Sequence, residues 1–233
     1  MKWRSARRSS NVQDIRGRRG DGGGGLKLGL GGVAAVVVIG LLLGKSPMEL
    51  LGLVTQVQQQ MPADSAGPAD APPVNDEASQ FVASILGETE DVWGAIFEAS
   101  GSQYTPATLV LFSGQVQSAC GGASAAVGPF YCPADQKVYI DLAFYETLRQ
   151  QLGAPGDFAQ AYVIAHEVGH HVQNLMGVTG KMDQMRGRVS EREYNQISVR
   201  VELQADCFAG IWAHHNHKSG AILEPGDVEE ALN

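Results

Sequence analysis

The chain has 233 residues and a formal net charge of -8, with 44% hydrophobic residues, 29 Gly and 3 Cys. This composition excludes a collagen, a coiled coil and a disulfide-built miniprotein, and the acidic balance does not suggest a partner nucleic acid. The charge is unevenly distributed, however, because residues 1–32 contain eight Lys and Arg but only two acidic residues. The amino-terminal part and the rest of the chain therefore need separate interpretations.

The amino-terminal part predicts a membrane anchor. Residues 28–44 form a run of 17 residues without a charge, which is long enough for one transmembrane helix. The preceding basic region is too long for a cleaved signal peptide, so an uncleaved signal anchor is favoured over that alternative. Basic flanks tend to stay cytoplasmic. We therefore expect a single-pass membrane protein with residues 1–27 as a cytoplasmic tail and the remainder periplasmic or otherwise extracytoplasmic.

The stretch Gly44-Lys45-Ser46 resembles the end of a nucleotide-binding Walker A loop. That motif requires a glycine at position 39, where the chain has Ile39, so we expect no nucleotide partner. Residues 45–76 are rich in Pro and Ala and predict an extended linker. The remaining residues, 77–233, have the size of a single domain.

The first half of this domain predicts helix followed by strands. Residues 77–100 carry apolar side chains at helical spacing with an interruption near Gly87, which indicates one or two helices. Residues 108–119 and 137–141 are β-prone and predict a small sheet. Residues 138–141 would either pair with an extended peptide substrate or form an interior strand.

The second half predicts two long helices. Asp157 is a plausible N-cap for a helix over residues 158–176 that stops at Gly177. Ser190 and Glu193 match a capping box, which opens a second helix reaching to about residue 213. The predicted fold class is therefore α+β, with a small β-sheet and two long helices that carry the active site.

The first long helix contains the motif His166-Glu167-Val168-Gly169-His170. Residues four apart on a helix share a face, so His166 and His170 can both direct an imidazole at one metal ion. Glu167 can then reach a water molecule on that ion without being a ligand itself. This pattern predicts a catalytic zinc site.

The second long helix offers the remaining ligand. Glu202 and Asp206 are also four residues apart and face the same way. We assign Glu202 to the metal and Asp206 to a hydrogen bond that orients His166, because ligand histidines usually donate their second ring N–H to an acceptor. The small side chains at Ala205, Ala209 and Gly210 would let the two helices approach closely.

These motifs resemble the bacterial neutral zinc metallopeptidases of the YpfJ type, in the gluzincin group. The resemblance rests on the HExxH run, on the ExxxD run within residues 200–212, on residues 1–4 and on residues 119–133. It implies a gluzincin-like metallopeptidase domain and a Zn²⁺ cofactor. It also implies His166, His170 and Glu202 as zinc ligands and Glu167 as the catalytic glutamate.

The expected function is that of a membrane-anchored zinc metalloendopeptidase, a hydrolase whose Glu167 activates a zinc-bound water to cleave a peptide or protein substrate. The alternative is a catalytically silent zinc-containing scaffold or partner-binding domain. The developing oxyanion needs a hydrogen-bond donor. The candidate donors are Tyr131, Tyr139, Tyr194 and His171.

The three cysteines divide into a pair and a single residue. Cys120 and Cys132 flank a Gly-rich segment and predict a disulfide in a domain outside the cytoplasm. Cys207 is left without a partner. Members of the family that the motifs resemble run on past residue 233 and carry a further cysteine near their end. This departure favours a chain that is truncated at its carboxyl end.

Overall fold

The computed structural model describes residues 1–16, 76–124, 128–145 and 156–232. The predicted anchor at residues 28–44 and almost all of the predicted linker lie outside these ranges. Within them, no helix combines the length and the apolar character that a membrane crossing requires. The strands are β1 (Val12–Asp14), β2 (Thr108–Phe112), β3 (Gln115–Ser118), β4 (Gly121–Ser124), β5 (Phe130–Cys132) and β6 (Lys137–Asp141). The helices are α1 (Glu77–Ala99), α2 (Asp157–Leu175), α3 (Val178–Met185), α4 (Glu191–Ser219) and α5 (Asp227–Leu232).

A mixed four-stranded sheet has the strand order β1-β2-β6-β5, in which β5 alone is antiparallel to its neighbour. Side chains alternate between its faces. Leu109, Leu111, Val138 and Ile140 belong to the main core, which they share with residues of the long helices. Val110, Phe112 and Tyr139 belong to a smaller cluster. Strand β6 is hydrogen-bonded on both sides, so residues 138–141 form an interior strand and do not receive a substrate.

Helix α1 continues without a break through Gly87, and the predicted interruption there is wrong. A Cβ atom at Gly87 would lie 2.6 Å from the carbonyl oxygen of Arg7. The glycine is therefore explained by the close approach of residues 7–9 to the helix, not by a turn.

Helices α2 and α4 both begin within one residue of their predicted starts, but the predicted N-cap is present only in α4. Ser190 and Glu193 form the capping box of α4. The residue that caps α2 is Gly156, one position before the predicted Asp157. Helix α4 extends to Ser219 and ends at Gly220, whose φ of 64° lies in the left-handed region. Its end is six residues beyond the predicted one, because the polar run after residue 213 remains helical until a glycine can reverse the chain.

Residues 1–16 pack against the domain, although the sequence predicted that they would form a separate tail. Trp3 is buried, and its ring meets that of Phe81 edge-to-face at 5.4 Å. The main-chain N–H of Ser9 donates to the carbonyl of Ala83 at 2.9 Å. Strand β1 then adds to β2 in parallel register. Residues 1–16 therefore belong to the same folded unit as the domain.

The basic side chains of this segment also have partners within the domain. The guanidinium of Arg7 donates to Glu90 and Asp91, each at 2.8 Å. Arg16 forms a salt bridge with Asp76 at 3.0 Å, just before α1. The charges that indicated a cytoplasmic flank therefore lie against acidic groups of the same folded unit.

The predicted disulfide between Cys120 and Cys132 is present. Cys120 lies in the turn between β3 and β4, and Cys132 is the last residue of β5. The bond therefore ties the separate hairpin to the sheet. Cys207 is a free thiol on the exposed side of α4.

Candidate metal centre

Three side chains from two helices converge on one point. His166 and His170 lie one turn apart on α2, and Glu202 faces them from α4. Oε2 of Glu202 is 3.4 Å from Nε2 of His166 and 3.2 Å from Nε2 of His170. The ligand atoms of the three residues all lie within 4.8 Å of one another.

This arrangement fits a zinc ion. Tetrahedral zinc with nitrogen and oxygen ligands at about 2.0–2.2 Å separates neighbouring ligand atoms by roughly 3.3 Å. Nε2 of His166 and Oε2 of Glu202 are buried, and neither has a hydrogen-bond partner among the described residues. Buried polar atoms are normally satisfied. A cation held by three ligands satisfies these atoms and leaves a fourth position for water.

The hydrogen bonds of the two rings define which nitrogen faces the metal. Nδ1 of His166 lies 2.9 Å from Oδ1 of Asp206, as predicted from the spacing of α4. Nδ1 of His170 lies 2.8 Å from Oε1 of Gln173. Both partners are acceptors, so each Nδ1 carries the proton and each Nε2 directs a lone pair at the shared point.

Without the ion, these residues form strongly coupled ion pairs. Burial opposes protonation of His166, but its hydrogen bond with Asp206 and the nearby carboxylate of Glu202 outweigh burial and raise its pKa to about 10. Burial likewise acts to raise the pKa of Glu202, but the nearby imidazoles of His166 and His170 lower that pKa to about 2. Zinc must therefore displace protons from the site as it binds.

Glu167 lies beside the three ligands in the interior. The residue is only 2% exposed. Burial raises the pKa of its carboxyl group, whereas the charges of His166 and His170 and, less strongly, the main-chain N–H of Tyr131 act in the opposite direction. The carboxyl group thus lies near the main chain of β5. A buried carboxylate with a raised pKa is a better proton acceptor than an exposed one.

Two of the four candidate oxyanion donors are bonded to each other. Nε2 of His171 lies 2.6 Å from the carbonyl oxygen of Thr105, which can only accept, so this nitrogen carries the proton. Its Nδ1 then accepts from the hydroxyl of Tyr131 at 3.0 Å. Both protons are used, and the pair instead fastens β5 to α2.

The other two candidates lie away from the ligands. The hydroxyl of Tyr139 donates to Asp135 at 2.7 Å, and its ring packs in the cluster of Val110 and Phe112, apart from the main core. Tyr194 accepts from Arg186 at 3.0 Å. It lies eight residues before Glu202 on α4, which is about 12 Å along the helix axis. None of these four side chains has a described hydrogen bond to His166, His170 or Glu202, and the identity of the oxyanion donor stays a prediction.

Sequence reasoning missed two residues that shape this centre. Gln173 binds His170, as described above. Gly169 lets the helices meet, because a Cβ atom there would lie 2.9 Å from the carbonyl oxygen of Ala205. Ala205 and Ala209 are buried at this contact as predicted, whereas Gly210 is exposed. The sequence signal for this role was the position of Gln173, a polar residue three positions after His170 on the predicted helix.

The fold and the site together define a metal centre of the zinc peptidase class, with HExxH on one helix and the third ligand on a second. A model of the family described as "Putative neutral zinc metallopeptidase" matches residues 1–233. The chain belongs to this family, whose cofactor is zinc.

Two relatives show how far the similarity extends. The chain is 47% identical to YpfJ of Escherichia coli (strain K12) over 240 residues, which cover 100% of this chain and 81% of that protein. It is 42% identical to Mb2605 of Mycobacterium bovis over 167 residues, which cover 67% of this chain and 55% of that protein. No solved structure matches the chain.

Proposed function

We propose that this protein is a zinc-dependent metalloendopeptidase in which Glu167 acts as the general base. One observation carries the proposal: two imidazole lone pairs and a carboxylate oxygen converge within 4.8 Å, and the buried carboxyl group of Glu167 lies next to them. A scaffold that needs zinc only for folding has no use for this last group. The catalytically silent alternative therefore leaves Glu167 unexplained.

The residues divide the chemical work between them. When bound, zinc supplies a Lewis acid that polarises the substrate carbonyl and acidifies a water molecule. His166, His170 and Glu202 would hold it, and Asp206 fixes the ring of His166. Glu167 would take a proton from the attacking water and deliver it to the leaving amine.

The position of Glu167 also suggests how a peptide is presented. Within the described sheet, β5 is paired on one side only, with β6. The main-chain N–H of Tyr131 in this strand bonds the carboxyl group of Glu167, so that group lies at the strand. An extended peptide that adds to the same edge would pass the catalytic carboxylate. We propose β5 as the strand along which the substrate lies.

We further propose that residues 28–44 attach the enzyme to a membrane and that the domain works outside the cytoplasm. The charge-free run supports the attachment. The disulfide between Cys120 and Cys132 supports an oxidising compartment. A single crossing by residues 28–44 would place residues 1–16 and the domain on opposite sides of the membrane, which does not fit their contacts. We therefore propose that this run enters the membrane without crossing it, so that the amino-terminal segment lies on the same side as the domain.

The central test is the substitution Glu167→Gln in the full-length chain. It replaces a base with an amide of the same shape, so we expect one zinc per chain in both proteins. Cleavage of fluorescein-labelled casein should fall by on the order of 10²–10⁴-fold. Zinc content would be measured by mass spectrometry and cleavage by fluorescence release.

The matched control is Glu191→Gln, an exposed carboxylate in the first turn of α4, which should leave both quantities unchanged. If the native chain contains zinc but Glu167→Gln cleaves casein at the native rate, Glu167 is not the base. If the zinc-loaded native chain cleaves neither casein nor any member of a mixed peptide library, the scaffold alternative is correct.

A further inference from the structure

We propose that Gln173 is a positioning residue for the metal centre, which fixes the ring of His170 and joins it to the helix that carries Glu202. This inference rests on the proposed zinc function. It concerns a residue outside the HExxH and ExxxD motifs. The Gln173 side chain is only 1% exposed.

The orientation of the Gln173 amide follows from its neighbours. Its nitrogen donates to the carbonyl oxygen of Val201 at 2.6 Å and to Oε1 of Gln204 at 3.1 Å. A main-chain carbonyl can only accept, so the amide nitrogen must face Val201. The amide oxygen is then directed at Nδ1 of His170, 2.8 Å away.

This orientation determines the protonation of His170. Nδ1 must donate to the amide oxygen, which leaves the lone pair of Nε2 free for the metal. Gln173 therefore does for His170 what Asp206 does for His166. Such outer partners keep ligand rings in one tautomer and one orientation.

The same side chain also connects the two ligand helices. Val201 precedes Glu202 in the chain, so the amide holds α4 at the peptide next to the third ligand. Gly169 lies one turn before Gln173 on the same face of α2, where an added Cβ atom would lie 2.9 Å from the carbonyl oxygen of Ala205. Close contact at the glycine brings the carbonyl of Val201 within reach of the glutamine.

The choice of an amide has an electrostatic reason. Glu167, Glu202 and Asp206 already place three carboxyl groups around a buried site, and a bound zinc ion carries only two positive charges. A fourth carboxylate at position 173 would add buried negative charge without a counter-ion. A neutral acceptor orients the ring without that cost.

The test compares Gln173→Met with Gln160→Met in the full-length chain. The methionine at 173 keeps the volume and removes the hydrogen bonds, whereas Gln160 lies on the same helix, thirteen residues away from the glutamine under test. Zinc affinity would be measured by competition with a chromophoric chelator. We expect Gln173→Met to bind zinc about 10–100-fold more weakly than the native chain, and Gln160→Met to bind it as the native chain does.

A second measurement includes the native chain, for which the result does not depend on the folding of a variant. In the zinc-loaded native chain, ¹H–¹⁵N spectra of the imidazole groups should show slowly exchanging Nδ1 protons on both His166 and His170. In Gln173→Met the signal of His170 alone should be lost. Zinc affinity of Gln173→Met within twofold of the native value, or a native His170 ring without a protected Nδ1 proton, would overturn the inference. If the native chain binds no zinc at all, the proposed function itself has failed.

Discussion

Asp206 and Gln173 give the two histidines of the metal centre different neighbours, a carboxylate and an amide. Glu202 lies close to both rings, whereas Asp206 is bonded to His166. The two carboxylates together raise the pKa of His166 to about 10 against the effect of burial. The metal-free site and the zinc-bound site consequently have opposite responses to pH. In the metal-free site, a second ring proton on Nε2 of His166 is stabilising. In the zinc-bound site, Nε2 faces the metal and this proton must be absent.

We expect the stabilisation by zinc to grow as the pH rises from 6.5 to 8.5. The pKa of His166 is higher in the folded metal-free chain than in the unfolded chain, where it is about 6.5. Its stabilising contribution is therefore complete below pH 6.5 and declines as the pH rises towards 10. Zinc binds more tightly over the same range because fewer protons compete with it.

The measurement is the difference in melting temperature between the zinc-loaded and the chelated protein at several pH values. The exposed His215 provides the control, because His215→Gln should leave the pH profile unchanged. If this difference in melting temperature stays constant or shrinks as the pH rises, the assigned protonation of His166 in the metal-free and zinc-bound sites is wrong.

The ligands were predictable from the sequence because each pair lies within one helical turn. His166 with His170, and Glu202 with Asp206, show their common face through spacing alone. Gln173 was not predictable in the same way. Its role depends on the carbonyl of Val201 in another helix, and main-chain carbonyls have no sequence signature.

Among the elements, α1 shows how a glycine can be misread. The sequence around Gly87 suggests a helix break, because glycine is the weakest helix former apart from proline. In the structure the helix is continuous, and residues 7–9 cross it where no side chain is present. The glycine serves the packing of a distant segment.

We expect Gly87→Ala to destabilise the protein although alanine favours helix. The new Cβ atom would lie 2.6 Å from the carbonyl oxygen of Arg7, and such overpacking costs about 1–3 kcal/mol. The free energy of unfolding would be measured in urea for the native chain and the variant.

Gly94 offers the matched control on the same helix. A Cβ atom at Gly94 would meet nothing within 4 Å, so Gly94→Ala should raise the free energy of unfolding by about 0.5–1 kcal/mol. Equal effects of the two substitutions would show that the amino-terminal segment does not rest on α1.

The long helices could be predicted from the sequence, but the shortest strands could not. Capping residues and apolar periodicity mark α2 and α4 locally. Strands β1 and β5 have three residues each, which is too few to show a period. Strand β1 is stabilised by hydrogen bonds to β2, which is distant in the sequence, and β5 by hydrogen bonds to β6. Neither pairing can be recognised from the three residues of the short strand alone.

At the scale of the whole molecule, the amino-terminal segment is a component of the domain. Its basic residues suggested a cytoplasmic flank, because the rule for topology considers the charges near an apolar run and not their partners. Those partners, Glu90 and Asp91, lie more than 80 positions further along the chain. Composition alone could not reveal them.

We therefore expect positions 10 and 102 to lie on the same side of a membrane. Ser10 and Ser102 are both exposed, one in the amino-terminal segment and one in the domain. Each would be replaced by cysteine in a Cys207→Ser background and treated with a membrane-impermeant maleimide on intact bacterial cells. Both reporters should react, or both should be protected until detergent is added.

The proposal that the domain lies outside the cytoplasm predicts the first of these results. Labelling of Ser102→Cys with protection of Ser10→Cys would restore the topology predicted from charge. It would also mean that the contacts of Trp3 and Arg7 do not form in the cell.

The contact between the two ends of the described chain has a consequence for the order of folding. The main-chain N–H of Lys2 donates to the carbonyl of Ile222 at 2.7 Å, so Lys2 cannot make this contact until residue 222 has been synthesised. Ribosomes add about 5–20 residues per second, and the delay is therefore on the order of ten seconds or more. Until then the contact between Lys2 and Ile222 cannot form, and the nascent chain is accessible to chaperones and proteases.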